Sequence, residues 1–417
     1  MLQVIFLLNT ANVKLKMTII ADNPFNATPS LIGYLYQCRY ALYASLNKLR
    51  QEEDFLISIE SLDDIVFEKS GSPFEILQTK CQTVRPAILT NASPDLWRSI
   101  RIWCDGITNG RIPTESAFYL ITTATASENS AAFLLKDGSK RDVSKAVEIL
   151  DSTVESTNNR ENHAAFTAYN VLSQPQKISL FKNVFIIDRS PTIIDLDKKL
   201  RQEVNFAVKY DQLDSFLDRL EGWWYRKIIN QSNSINSILS SNELRLEIEH
   251  VIWQLREDNL PIDDDILKAT IDATGFQDRI FVKQLKYFGL HDRRIFFAIE
   301  NYFRANAQRS RWVDEYLVSG EEITNYDETL HKEWEIRNLQ MMDDFLPDSS
   351  ESEKKDKVKE IYKWVETSEH LPIRKCVTQP FVARGTFQIL ADKKRIIWHP
   401  DFDTTLDPLY QRGGKKI

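Results

Sequence analysis

The residues of this 417-residue chain with the most chemical potential lie in two neighbouring stretches. They are Ile59-Glu60-Ser61-Leu62-Asp63-Asp64-Ile65-Val66-Phe67-Glu68 and Phe74-Glu75-Ile76-Leu77-Gln78-Thr79-Lys80. Strand alternation over the second stretch places Ile76, Gln78 and Lys80 on one face and Glu75, Leu77 and Thr79 on the other. A lysine ending a strand, with a glutamine two residues earlier and an acidic strand start facing it, is the arrangement of a metal-dependent hydrolase. Hydrolysing a phosphodiester requires neutralised phosphate charge, a deprotonated water and a stabilised leaving oxygen. Mg²⁺, or Mn²⁺ in its place, held by a carboxylate and further oxygens supplies the first two. Asp64 is the expected principal carboxylate. The Gln78 amide oxygen and the Thr79 backbone carbonyl are the further metal ligands, and Lys80 orients the water or stabilises developing charge. Asp63 competes with Asp64, a single residue of register separating the two. The same letters also fit an acidic turn followed by a solvated strand end.

Several elements must position these residues. Leu31, Tyr34, Leu35, Cys38, Leu42, Leu46 and Leu49 recur at helical spacing, predicting a helix over 30–50 with Ser30 as its N-cap. Strands are expected at 55–60, 64–68 and 74–80, separated by the Asp-Asp pair and by Ser70-Gly71-Ser72-Pro73. A helix over 94–108 carries Leu96, Trp97, Ile100 and Trp103 on one face, and a strand follows at 117–122. From Glu128 to Asn162 the chain reads as polar, with a turn at Asp137-Gly138, before a strand at 184–187. Amphipathic helices are then expected at 211–230, 241–256, 263–273, 276–289, 291–318, 323–337 and 355–368, with a charged loop at 346–356. A terminal β-hairpin is expected from Thr386–Leu390 and Arg395–Trp398. The main domain boundary is placed near residue 205.

Composition narrows the functional classes. No G-x-x-x-x-G-K-[ST] motif occurs, so the chain carries no P-loop of its own. The four cysteines, at 38, 81, 104 and 376, form no CxxC pair, and the six histidines give no zinc spacing. Isolated thiols of this kind suit a reducing cytoplasm. The apolar stretch Leu2–Leu8 is too short to span a bilayer and lacks a cleavage site. Met17 follows it closely, so residues 1–16 read as a mis-assigned start. The net charge of −7 predicts weak nucleic-acid affinity for a lone monomer. Trp312, Trp334 and His399 read as packing residues, Trp223-Trp224 as core plus interface, and Arg309 and Arg311 as solvated or salt-bridged on a helix surface.

Gly33-Tyr34-Leu35-Tyr36-Gln37, then the E-x-x-D-D-I of Glu60 to Ile65, then Gln78-Thr79-Lys80, resemble PD-(D/E)xK nucleases with QxK in place of ExK. Among these they look most like the DNA endonuclease domain of CBASS effectors and of ABC-three-component (Lamassu) systems. Residue by residue, the resemblance assigns catalytic roles to Gln37, Glu60, Asp64, Gln78 and Lys80. A second resemblance, to the C-terminal domain of the ABC-three-component family, runs through Leu220-Glu221-Gly222-Trp223-Trp224-Tyr225 and Asp258-Asn259-Leu260-Pro261-Ile262-Asp263. It continues through Gln308-Arg309-Ser310-Arg311-Trp312, Trp334-Glu335, Leu390-Ala391-Asp392 and Trp398-His399-Pro400.

These resemblances imply an N-terminal extension (1–27), a restriction-endonuclease-like α+β or α/β domain with a mixed sheet flanked by helices (28–205), and a mainly α-helical assembly domain (206–417). The implied function is Mg²⁺-dependent endonucleolytic cleavage of double-stranded DNA in an antiviral defence complex. The implied partners are an SMC-like ATPase and a small third subunit, which hold the nuclease inactive until it is released or forms a homo-oligomer. A cytoplasmic protein without membrane contact is expected. The alternative is a catalytically inactive nuclease-fold adaptor that scaffolds the ATPase complex, favoured by the charge lost where Gln78 replaces a carboxylate.

Overall fold

A computed structural model of the chain describes residues 28–51, 54–59, 64–69, 72–81, 87–156, 159–232, 238–346 and 349–402. The apolar stretch Leu2–Leu8, Met17, Glu60 and Asp63 lie outside the described residues. The chain divides into two units: residues 1–41 with 57–196, and residues 42–56 with 197–417.

The first unit is built on a mixed sheet. Helix α1 (Thr28–Arg50) precedes strands β1 (Leu56–Ile59), β2 (Asp64–Lys69), β3 (Ser72–Lys80) and the short β4 (Ile88–Leu89). Helix α2 (Pro94–Thr108), strand β5 (Ala117–Thr122) and the short β6 (Thr125–Ala126) follow. Helices α3 (Ala131–Leu134), α4 (Val143–Ser156), α5 (His163–Val171) and α6 (Gln174–Lys182) lead to strand β7 (Val184–Ile187) and helix α7 (Ile193–Val204). In this unit the strands run in the order β7-β5-β3-β2-β1. β2 and β3 form an antiparallel hairpin, whereas β3, β5 and β7 are mutually parallel.

The strand order grows outward in one direction from β3 through β5 to β7. Right-handed crossovers in a series like this put every connecting helix on the same face of the sheet. The core bears this out: Trp97, Ile100 and Trp103 of α2, Leu150 of α4, Phe166 and Tyr169 of α5 and Phe181 of α6 bury into one cluster with Ile76, Phe118 and Leu120 of the strands. Trp97 meets Phe166 and Tyr169 edge-on, with ring centroids 4.6 and 5.6 Å apart. The stretch expected to be polar from 128 onward thus contains α3 and α4, whose buried stripe is the modest Ala146, Val147, Leu150 and Thr153. The turn at Asp137-Gly138 is present, with Gly138 at φ +125°, a conformation that favours glycine.

The second unit, apart from its share of α1 and α7, is dominated by helices. These are α8 (Leu213–Ser232), α9 (Ser241–Gln254), α10 (Asp264–Leu267), α11 (Ile280–Tyr287), α12 (Asp292–Asp314), α13 (Gly320–Asp343), α14 (Glu351–Thr367) and α15 (Pro380–Asp392). The helix expected over 263–273 is only the four-residue α10, followed by a 3₁₀ turn at Ala273–Phe276. No helix among the described residues is long and apolar enough to cross a membrane.

The terminal β-hairpin is corrected. Thr386–Leu390, its expected first arm, lies inside α15. Every residue of this helix from Phe381 to Ala391 is buried except Arg384. A helix enclosed on all sides shows no polar stripe, and its apolar run then has the look of a strand. Pro380 at the first turn suits a helix start. Gly385 brings the backbone of α15 against α12, where a Cβ would lie 2.0 Å from the Asn301 carbonyl oxygen.

Buried polar bonds knit the helices of this unit. The Gln308 amide donates to Asp263 Oδ2 at 2.7 Å and its oxygen accepts the Asp263 N–H at 2.9 Å. Arg219 pairs with Asp263 at 2.6 Å and with Glu315 at 2.7 Å. Arg309 pairs with Asp327 at 2.7 Å, both side chains almost fully enclosed. The Trp312 indole donates to the Pro261 carbonyl at 2.7 Å. Arg311 grips Asp265 with two 2.8 Å bonds. The residue runs that carried the second resemblance are therefore, for the most part, the joints of the helical unit.

Candidate active site

The site is built at the C-terminal end of β3. Gln78, Thr79 and Lys80 are all buried, at 0%, 7% and 7% exposure. Three consecutive polar residues do not occupy the middle of a sheet without a structural or chemical reason, since each must find partners there. The antiparallel register sets Asp64, the first residue of β2, opposite Gln78. On the other edge, Gln78, Thr79 and Lys80 lie beside Leu120, Ile121 and Thr122 of the parallel strand β5.

Backbone geometry orients the Thr79 carbonyl. Thr123 donates its N–H to the Lys80 carbonyl at 3.2 Å, so that oxygen points toward β5. Successive carbonyls of a strand point to opposite edges. The Thr79 carbonyl therefore points to the β2 edge, where the register begins at Asp64. The Thr79 carbonyl and the Gln78 side-chain amide thus offer oxygen donors at this end of β3, of the kind that suits Mg²⁺ or Mn²⁺.

The Gln78 amide is held from α2. Ser99 Oγ donates to Gln78 Oε1 at 2.8 Å and also lies 3.0 Å from the Asp95 carbonyl oxygen. One hydroxyl proton serves only one of these acceptors. When it serves Asp95, the Ser99 oxygen is free to accept from the Gln78 amide in its flipped orientation. Ser99 is fully buried. It escaped the sequence reading, although a small hydroxyl between Leu96, Trp97, Ile100 and Trp103 on an otherwise apolar helix face was a usable signal.

Helix α1 brings Tyr36 and Gln37 into the same unit. Gln37 is 3% exposed, and its Nε2 has no hydrogen-bond partner among the described residues; nor has the Tyr36 hydroxyl. Burial, and then the neighbouring Tyr40 and Cys81, push the Tyr36 phenol well above its ordinary pKa. Of the residues expected to form the site, Gln78, Thr79 and Lys80 lie together, Asp64 holds the register position across from them, and Gln37 supplies an orphaned donor in the same unit. Glu60 lies outside the described residues.

The cysteines fit the inert reading. Burial pushes the Cys38 thiol up to about 11 and Cys104 up to about 12, so neither is a thiolate at neutral pH. Glu351, His399 and Asp401 present ligand atoms within 4.8 Å of one another. The His399 Nδ1 accepts the Asp401 N–H at 3.2 Å, which leaves the ring proton on Nε2 and no lone pair for a metal. Lys354 and Lys355 stand 2.9 and 3.4 Å from Asp401 and Glu351 and neutralise both. His399 packs edge-on against Tyr287 at 5.0 Å, in keeping with a structural role. Trp312 and Trp334 are buried, and of the pair at 223–224 it is Trp224 that enters the core.

Comparison with known proteins gives one family match, to C-terminal domain 7 of the ABC-three component (ABC-3C) systems, over residues 281–406. No curated protein matches the chain. Among solved structures, the chain is similar to the Acinetobacter baumannii Cap4 SAVED/CARF-domain containing receptor with the cyclic trinucleotide 3'3'3'-cAAA. The identity is 13%, with 67% of this chain and 70% of that one covered and a TM-score of 0.35. The Moraxella osloensis Cap4 receptor gives 12% identity, 67% and 69% coverage and a TM-score of 0.34. Scores this low do not establish a shared fold. The family match, confined to the C-terminal part, supports a place for the chain among the components of ABC-three-component systems.

Proposed function

We propose that the chain is the nuclease effector of an ABC-three-component anti-phage defence complex, cleaving double-stranded DNA with Mg²⁺ at the end of β3. The observation that carries this reading is the buried Gln78-Thr79-Lys80 run, set against the Asp64 position of β2. Asp64, the Gln78 amide oxygen and the Thr79 carbonyl would hold the ion. When bound, that ion supplies phosphate charge neutralisation and a water of lowered pKa. Lys80 orients the attacking water or stabilises the charge that develops on the phosphate. Gln37 offers a buried N–H donor to the same region, and Ser99 holds the Gln78 amide in place. Glu60 keeps the assisting role that the resemblance gives it.

The acidic balance of the chain, −7, suits an enzyme that gains DNA affinity only in company. An SMC-like ATPase and a small third subunit would hold it inactive in the cytoplasm, and release or homo-oligomerisation would pool several weak DNA contacts. The test is cleavage of linear and supercoiled DNA with Mg²⁺, comparing wild type with Lys80→Ala, with and without the partner subunits. Cutting by wild type and none by an otherwise assembled Lys80→Ala complex is expected. No cutting by wild type in any combination, with stable partner complexes, would replace this reading with the scaffold one.

A further inference from the structure

A second candidate site lies in the helical unit. Beside the crossing of α12 and α15 is a cavity of ≈ 460 Å³, within the size range of small-ligand pockets. Three of the residues that line it each carry a buried polar atom without a hydrogen-bond partner among the described residues: Arg304 Nε, Arg384 Nε and Gln388 Oε1. Native interiors satisfy nearly all such groups, so three orphans among the residues of one cavity point to a missing ligand. Gln388 is 2% exposed, and its amide nitrogen is used by the Tyr362 hydroxyl at 3.2 Å. Whichever way that amide is turned, one polar end is left without a partner.

The charge balance defines the ligand. Arg304 is paired with Glu300 at 3.3 Å and Arg294 with Glu366 at 2.5 Å, so these charges cancel. Arg384 has no ion-pair partner among the described residues and leaves one positive charge on the cavity wall. A guanidinium with a free Nε–H is a fork that grips an oxyanion through two parallel bonds. One uncompensated positive charge matches a carboxylate, whereas a phosphate dianion would bring excess negative charge. The rings of Phe297 and Tyr362 line the same space and suit an apolar or flat body. The packing of Gly385 against Asn301 holds the two helices, and hence Arg384 and Asn301, in close register.

We propose that this cavity binds a carboxylate on an apolar body, gripped by Arg384 with help from Arg304 and Gln388. The carboxylate comes either from a free small acid or from an acidic residue of a partner polypeptide. Calorimetric titration of the full chain with benzoate, with the blocked dipeptide N-acetyl-Asp-Phe-amide and with inorganic phosphate separates the cases. Saturable binding of a carboxylate is expected, weakened tenfold or more by Arg384→Ala and less by Arg384→Lys, which keeps the charge but loses the fork. Tighter binding of the dipeptide assigns the site to a partner chain, and tighter binding of benzoate to a free acid. Failure of wild type to bind either carboxylate, equal affinity in Arg384→Ala, or tighter binding of phosphate than of both would overturn the proposal. Thermal melting of each variant establishes that a loss of binding is not a loss of fold.

Discussion

Replacing Ser99 by alanine removes one hydroxyl from the interior and, with it, a 2.8 Å hydrogen bond to the Gln78 amide. Both residues are fully buried, so no water takes the place of the lost oxygen at the surface. Losing one buried hydrogen bond costs about 0.5–1.5 kcal/mol of stability. The effect on the ion is separable from this. Partners that orient a metal ligand are worth about 10–100-fold in metal affinity. Ser99→Ala should therefore weaken Ca²⁺ or Mn²⁺ binding by about that factor while α2 and the sheet still fold. Ser99→Thr, which keeps the hydroxyl, should recover most of the affinity. The assay is calorimetric ion titration together with denaturant unfolding. An Ser99→Ala protein that loses stability but binds the ion as tightly as wild type would refute the orienting role. A wild type that binds no ion would instead remove the metal reading itself.

Three further outcomes follow from the helical unit. Gly385→Ala would set a Cβ 2.0 Å from the Asn301 carbonyl oxygen and 2.4 Å from Ala305 Cβ, forcing α12 and α15 apart. A loss of about 3 kcal/mol is expected, read as a thermal midpoint lowered by roughly 6–12 °C. Asp327→Ala leaves the buried Arg309 guanidinium unpaired and should cost about 3–5 kcal/mol in denaturant unfolding, whereas the double change Arg309→Met with Asp327→Leu should regain most of it. Burial, first among the causes, holds His370 and His399 below the ordinary histidine value of 6.5. Each folded-state pKa is thus below the unfolded one, so their contribution is complete above that ordinary value and is lost as pH falls through the folded one. The thermal midpoint should fall from pH 7.5 to pH 5, and less steeply in a His370→Gln, His399→Gln double variant.

Where local pattern and burial agree, the elements were legible in the residues. Strands β5 and β7 and helix α2 fall where the alternation and the Trp97–Trp103 stripe place them. The misses have a common cause. Helix α4 presents alanine and threonine where a strong stripe would carry leucine, so a reading weighted toward large apolar residues passes it by. Helix α15 fails in the opposite way, since enclosure on every side erases the polar face that marks a helix. The Gln78-Thr79-Lys80 alignment was legible because strand alternation is local. Its anchor was not, because Ser99 is 21 residues away and meets Gln78 only through the packing of α2 on the sheet.

The family match begins at residue 281, but the physical unit it belongs to does not. Gln308, Arg311 and Trp312 of α12 all take their partners from the segment Pro261–Asp265, upstream of the matched stretch. Arg219 of α8 joins the same network through Asp263. The bonds of Gln308, Trp312 and Arg219 are enclosed, and each would leave a buried donor or charge short of a partner if the upstream segment were lost, whereas the Arg311–Asp265 pair is largely exposed. The stability of α12 therefore depends on Pro261–Asp263 and on Arg219, whether or not those side chains touch a partner. This explains why residue runs as distant as Asp258–Asp263 and Gln308–Trp312 read as one signature: they are two halves of a single buried joint.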